Sequence, residues 1–323
     1  MNILATPPID TLHQFADDVR AGLRREGQKE LPSKYLYDAL GSTLFDAITL
    51  LPEYGLTRAD ERLLRRHAAE IARSIPAQSM VSELGSGSGR KTRWILDALR
   101  RNGPLSYYPI EISRTALALC EAELSDIESV SIVGVESEYL AGLAEVAKRR
   151  EPGMHLFVLF LGSTIGNFDA GADARFLRQV RGILQKGDSL LLGTDLVKAH
   201  DVLIDAYDDP IGVTAAFNMN LLARINRELD ADFDLRQFEH SARFNAATSS
   251  IEMHLRSRQE QTVAIPGCDI SVDFRAGETI WTESSHKYTR ESVEELARDS
   301  GFAIAGQWAD EEWAFANSLL VAQ

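Results

Sequence analysis

Between Thr57 and Ile75, apolar residues return every three or four positions, with Leu63, Leu64, His67, Ala68 and Ile71 on one face. That spacing predicts an amphipathic helix, which the Thr57 side chain can cap. Downstream, β-rich runs alternate with helical spacings: "SMVSELG", a helix over 91–101, "LSYYPIEIS", a helix over 114–124, "VSIVGVE", a helix over 138–149, "HLFVLFLG", a helix over 171–185, then "DSLLLGTDLV". Such alternation predicts a parallel sheet with helices on both faces. The chain ends differently. A helix over 289–300, with Val293, Leu296 and Ala297 on one face and Gly301 behind it, precedes "FAIAGQWAD" and "EWAFANSLLVAQ". These two runs lie close enough to pair as a terminal antiparallel hairpin.

Residues 198–288 do not fit that sheet. "IGVTAAFNMNLLARINREL" is helical, with Phe217, Leu221 and Ile225 four apart, and "SSIEMHLRSR", "QTVAI", "DISVDF" and "ETIWTESSHKY" alternate with period two. Several antiparallel strands are expected there. The predicted fold is therefore α/β, a doubly wound sheet over 57–197 and 289–323 closed by the hairpin. A second, discontinuous α+β domain over 1–56 and 198–288 is expected to bind substrate.

Composition narrows the partners. The 323 residues, 45% hydrophobic, can bury one large core or two modest ones. Forty-eight acidic against 34 basic residues leave a formal net charge of −14. That opposes nucleic acid, whose phosphates need a basic footprint, and favours a small-molecule substrate. Cys120 and Cys268 lack metal-ligand spacing, and the seven histidines form no His-x-x-x-His pair, so no metal is expected. The N-terminus has no leader pattern and no apolar run reaches membrane-spanning length. A cytoplasmic monomer is the expectation.

The chemistry starts at "ELGSGSGRKT", residues 83–92. A Walker A loop fails, because Arg90 stands where glycine must precede Lys91-Thr92. A dinucleotide fingerprint fails too, because the third glycine, Gly89, comes one residue early. What remains is acidic-x-Gly-x-Gly-x-Gly, ending a strand and running into the apolar helix at Trp94-Ile95-Leu96. Class I methyltransferases hold S-adenosylmethionine this way, and their parallel sheet likewise ends in a reversed strand. Gly85, Gly87 and Gly89 let the backbone approach the ligand, and Glu83 can accept from its methionyl ammonium. A plain Gly-rich turn is the alternative.

Other candidates have ordinary explanations beside the functional ones. Glu111, ending "YYPIE", can hold both ribose hydroxyls or be a solvated strand-end acid. Asn167, in "FLGSTIGNF" after the fourth strand, offers one acceptor and two donors, or simply forms a turn. Tyr54 in "LPEYGLTR" and Tyr207 in "YDDP" can be core residues. Glu283 and Ser285 are two apart on a strand, face one side, and can have Met253 across from them. A carboxylate with a hydroxyl can grip a donor–acceptor ring such as imidazole; a solvent-facing patch is the alternative.

The segments "YDALGSTLFDAITLLPEY", "ELGSGSGRKTR", "LFLGSTIGNF", "GTDLVK", "YDDPIGVTAAFNMNLLARINRELDADFD", "IEMHLRSRQEQTV" and "TESSHKYT" together resemble the histidine N-alpha-methyltransferases of ergothioneine biosynthesis. The resemblance runs from about residue 33 to the end, and its longest motif, 207–234, is highly specific. It implies S-adenosylmethionine-dependent trimethylation of the α-amine of L-histidine to hercynine. It further implies that Tyr54, Asn167 and Tyr207 hold the carboxylate and amine, and that Glu283 and Ser285 grip the imidazole. Met253 and Phe45 would line the pocket, and Tyr37 would sit near the methylated nitrogen, with Tyr37 and Tyr54 as the catalytic pair. On the cofactor side it implies Glu83, Gly85, Ser86, Gly87, Lys91, Glu111 and Glu136. Three positions depart from the family pattern: Gly55-Leu56 follows Tyr54 in place of a proline, Glu111 replaces an aspartate, and Val135 stands where an aspartate reads the adenine. Two rivals stay open, the same fold acting on another aromatic amino acid or a histidine ring nitrogen, and a noncatalytic binding subunit. Glu283 with Ser285 favours imidazole over indole, and Asn167 with the glycine loop disfavours the inert module.

Overall fold

The computed structural model describes residues 2–5, 11–168 and 171–323. They divide into two compact units: the strand Asn2–Ala5 with residues 56–197 and 287–323, and residues 11–55 with 198–286.

The first unit is built on an eight-stranded sheet in the order Asn2–Ala5, Val130–Glu136, Leu105–Glu111, Ser79–Leu84, His155–Phe160, Ser189–Asp195, Phe315–Ala322, Phe302–Asp310. Every pairing as far as Ser189–Asp195 is parallel; Phe315–Ala322 then runs antiparallel and carries its hairpin partner at the edge. This is the class I methyltransferase arrangement. Its central strands are buried on both sides, because alternate residues feed two cores. Leu156, Val158 and Phe160 join Met80, Leu84, Ile110 and Leu190 on one face. Phe157 and Leu159 join Val81, Tyr107, Leu191 and Leu319 on the other.

Several boundaries differ from the sequence expectation by a residue or more. Asn2–Ala5 does not belong with the second unit; it pairs parallel with Val133–Glu136 and covers what would be an open sheet edge. Lys287 and Tyr288 also belong to the first unit. Lys287 Nζ lies 2.9 Å from Asp195 Oδ2 in a fully buried ion pair, and the Tyr288 amide donates to the Asp195 carbonyl. The helix begins at Leu56, so Thr57 lies inside its first turn instead of capping it. Finally, the helix expected over 91–101 is α-helical only over Arg93–Leu99 and tightens to a 3-10 turn at Arg100–Asn102.

The second unit packs the helices Thr11–Leu23, Ala39–Ile48, His200–Tyr207 and Val213–Leu229 with a four-stranded sheet in the order Lys29–Glu30, Thr279–His286, Ser250–Ser257, Phe238–Asn245. Phe217, Leu221 and Ile225 are buried on one face of Val213–Leu229, as their spacing predicts. Gln261–Ile265 and Ile270–Phe274 form a separate hairpin and do not enter that sheet. Phe238–Asn245 was not anticipated; its apolar side reads Phe238, His240, Ala242, Phe244, and the histidine hides the alternation. Thr279–His286 carries a β-bulge: Trp281 pairs with His254, but Glu283 pairs with Met253, leaving Thr282 as the extra residue. Among the described residues, no helix is long and apolar enough to cross a membrane.

Candidate active site

The glycine loop follows Ser79–Leu84 at the carboxyl end of the central strand. Gly85, Gly87 and Gly89 all take positive φ, at 71°, 51° and 72°, where an L side chain is strained. Their surroundings differ. A Cβ on Gly85 would lie 3.0 Å from the Tyr139 hydroxyl, and one on Gly89 would lie 2.6 Å from Cys120 Sγ. At Gly87 nothing stands within 4 Å. Two of the glycines permit packing, and the middle one opens a space that a ligand can enter. Ser86, between them, is buried.

Glu111 and Glu136 end neighbouring strands as register partners. The Glu111 carboxylate accepts from the amides of Ile112 at 2.9 Å, Ser113 at 3.4 Å and Gly87 at 3.4 Å. Burial pushes its pKa up while these amides oppose the shift. The structure thus brings the glycine loop and the predicted ribose acceptor together. Val135 is fully buried in the core, so this position offers no polar group for an adenine.

Glu83 is buried, and both carboxylate oxygens accept from Thr92 Oγ1, at 2.9 and 2.7 Å, while Tyr107 also donates its hydroxyl. The carboxylate therefore ties the end of the loop to the sheet. Burial pushes its pKa up to about 7 against the pull of Tyr107 and Thr92. Lys91 is anchored as well: its Nζ lies 2.6 Å from Asp60 Oδ2. Asn167 ends the 3-10 turn Thr164–Asn167, which follows Gly162 and the left-handed Ser163.

The second unit gathers the remaining candidates. Tyr37 packs edge-on against Phe45 and Phe217, with ring centroids 5.5 and 5.4 Å apart. Phe45 contacts Tyr54 at 6.3 Å, and Tyr54 contacts Tyr207 at 6.0 Å. The Tyr207 hydroxyl donates to Ser285 Oγ at 2.7 Å. Ser285 and Glu283 lie downstream of the bulge on one face, with Met253 directly opposite Glu283. All three are buried, which removes the solvent-patch alternative. This aromatic chain with a carboxylate and a hydroxyl at one end can enclose a flat ring and satisfy its polar edge.

Three residues here escaped sequence reasoning. Phe217 was visible only as part of a helical stripe. His240, in Phe238–Asn245, has Nε2 2.8 Å from the Tyr207 carbonyl and Nδ1 2.9 Å from Asn218 Nδ2. A carbonyl needs a donor, so the proton sits on Nε2, and burial holds this imidazole below its ordinary pKa and neutral. Asp60 did leave a signal, since it stands one turn before Leu63 and Leu64 in the apolar stripe.

Comparison with known proteins agrees with this geometry. The model of a family described as "Histidine-specific methyltransferase, SAM-dependent" matches residues 15–322. Proteins named histidine N-alpha-methyltransferase from Mycobacterium tuberculosis and Mycolicibacterium smegmatis are each 46% identical, over 94% of this chain and 93% and 94% of theirs. Ergothioneine biosynthesis protein 1 of Neurospora crassa is 30% identical over 88% of this chain and 32% of its own length. With the class I sheet, the open cradle at Gly87 and Glu111 beside it, the chain belongs to the S-adenosylmethionine-dependent histidine-specific methyltransferase family.

Proposed function

We propose that the protein transfers three methyl groups in succession to the α-amino nitrogen of L-histidine, forming hercynine, the step that commits histidine to ergothioneine. The observation that carries this is the buried face of Met253, Glu283, Ser285 and Tyr207 beside a run of aromatic rings. Glu283 would accept from one imidazole nitrogen and Ser285 would meet the other, while Met253 and Phe45 exclude water. Tyr54, Tyr207 and Asn167 would hold the amine and carboxylate. On the cofactor side, Gly85, Ser86 and Gly87 form the cradle, Glu111 accepts from ribose hydroxyls, and Lys91 and Glu136 flank it. Glu83 supports the loop from within.

S-adenosylmethionine, when bound, supplies a methyl group on a positively charged sulfur. The residues therefore need no strong base; they must present a neutral amine, aligned and close. The hydroxyls of Tyr37 and Tyr54 would relay to solvent the proton released after each of the first two transfers, each accepting one proton while passing on its own. After the third the nitrogen is quaternary and has no proton to lose. The rings of Tyr37 and Tyr54 suit the growing cation. No nucleic acid or membrane enters this proposal. A cytoplasmic monomer is the expected working form, and light scattering of the purified protein checks its size.

The test is mass spectrometry of amino acids incubated with the enzyme and S-adenosylmethionine. Mono-, di- and trimethylhistidine are expected in turn, with tryptophan and tyrosine left unmodified. A ring N-methyl product by NMR would overturn the assignment of the imidazole to Glu283 and Ser285.

A further inference from the structure

Asp60 is fully buried on the helix Leu56–Arg73, a charged residue one turn before Leu63 and Leu64 in an otherwise apolar stripe. Its Oδ2 accepts from Lys91 Nζ at 2.6 Å and from the Gly162 amide at 3.0 Å, and its Oδ1 accepts from Asn317 Nδ2 at 3.1 Å. One carboxylate thus joins four segments of the first unit: its own helix, the residues after the glycine loop, the turn leading to Asn167, and the reversed strand. The approach is close. Gly162 has φ of 71°, and a Cβ on it would lie 3.1 Å from Lys91 Nζ. A Cβ on Gly193 would lie 3.1 Å from the Gly162 amide and 3.2 Å from Asn317 Oδ1. Side chains are thus missing at the two places where they would press this junction apart.

An ion pair with a buried carboxylate and a partly exposed ammonium is weak evidence for stability, since an apolar pair of similar volume often serves as well. Fixing the direction of a charge is what an apolar pair cannot do. We propose that Asp60 is a positioning residue for methyl transfer: it sets the Lys91 ammonium beside the cofactor cradle and holds the Gly162–Asn167 turn in the same frame. This rests on the cofactor role proposed for the glycine loop.

The experiment compares Asp60→Asn, Lys91→Met and the double variant by calorimetry with S-adenosylhomocysteine, steady-state kinetics with histidine, and urea unfolding of the ligand-free protein. Asp60→Asn should weaken S-adenosylhomocysteine binding by roughly 10- to 150-fold, the factor for one charge-assisted bond. The double variant should bind no more weakly than Lys91→Met, because both substitutions act through one ammonium. Asp60→Asn should also lower kcat more than Lys91→Met, through the Gly162 turn. Wild-type affinity and kcat in Asp60→Asn with a lowered urea midpoint would make Asp60 a structural prop and overturn the proposal, as would fully additive losses. If a single variant does not fold, the double variant, neutral on both sides, decides: wild-type affinity there overturns the proposal. A wild-type protein that does not bind S-adenosylhomocysteine removes the reading of the loop itself, a result distinct from an indifferent Asp60→Asn.

Discussion

Tyr207 donates its hydroxyl hydrogen to Ser285 Oγ across 2.7 Å, joining the end of a helix to the strand that carries Glu283. The bond orients the Ser285 hydroxyl, so the two residues should behave as one unit. Tyr207→Phe and Ser285→Ala should each lower kcat/KM for histidine by roughly 2- to 12-fold, the range for a neutral hydrogen bond. The double variant should lose less than the product of the two. Multiplicative losses in steady-state kinetics would show that the residues act separately.

Glu283→Ala removes a buried carboxylate opposite Met253. The expected fall in kcat/KM for histidine is about 10- to 150-fold, corresponding to roughly 1.5–3 kcal/mol for a charge-assisted bond. Affinity for S-adenosylhomocysteine should stay within about twofold, and the relative rate on apolar aromatic amino acids should rise. Full histidine activity in this variant would remove Glu283 from the substrate site.

Gly87 and Gly89 share left-handed φ but not surroundings, so alanine should affect them differently. At Gly89 the new methyl meets Cys120 Sγ at 2.6 Å and Leu124 Cδ1 at 3.0 Å. Gly89→Ala should therefore lower the unfolding free energy measured in urea by well over the roughly 1–2 kcal/mol of left-handed strain alone. Gly87→Ala carries only that strain, yet its methyl enters the open cradle and should weaken S-adenosylhomocysteine binding at least about tenfold. Equal effects on binding and stability in the two variants would contradict the separate roles of these glycines.

Glu83 predicts a pH dependence of stability. Its folded-state pKa of about 7 lies above the ordinary 4.5, so between those values the folded protein holds a proton that the unfolded chain has released. Its contribution is complete below pH 4.5 and is lost as pH rises through about 7. Urea unfolding of wild type minus that of Glu83→Gln should therefore decline by roughly 2–3 kcal/mol from pH 5 to pH 8. A difference that is flat across this window would mean that Glu83 is ionised throughout.

The parallel sheet and its reversed end were legible because β-rich runs alternate with helical stripes from Ser79 to Asp195, and a helix and two β-rich runs follow from Arg290 to Ala322. The Glu283–Ser285–Met253 face was legible because strand parity is a local property and all three residues lie beyond the bulge. The Thr92 and Tyr107 bonds of Glu83 are not legible in the sequence, because residue type does not say which neighbours a strand-end carboxylate meets. Asp60 was passed over because an amphipathic stripe is read from its apolar members, whereas the polar exception within it was the informative residue. The strand Asn2–Ala5 is four residues long, too short for its period to be distinguished from the loop around it.

The bulge at Thr282 has a consequence for what can fit beside Glu283. In an unbroken strand, Trp281 and Glu283 would have the same parity, and an indole would stand next to the carboxylate. The extra residue changes the phase. Trp281 turns to the reverse of the sheet and stacks on His254, with centroids 6.3 Å apart and planes 16° from parallel, while its Nε1 donates to the Glu283 carbonyl and pins the offset. One backbone step thus places the chain's own tryptophan on the face opposite Glu283, away from the side where an imidazole is proposed to sit.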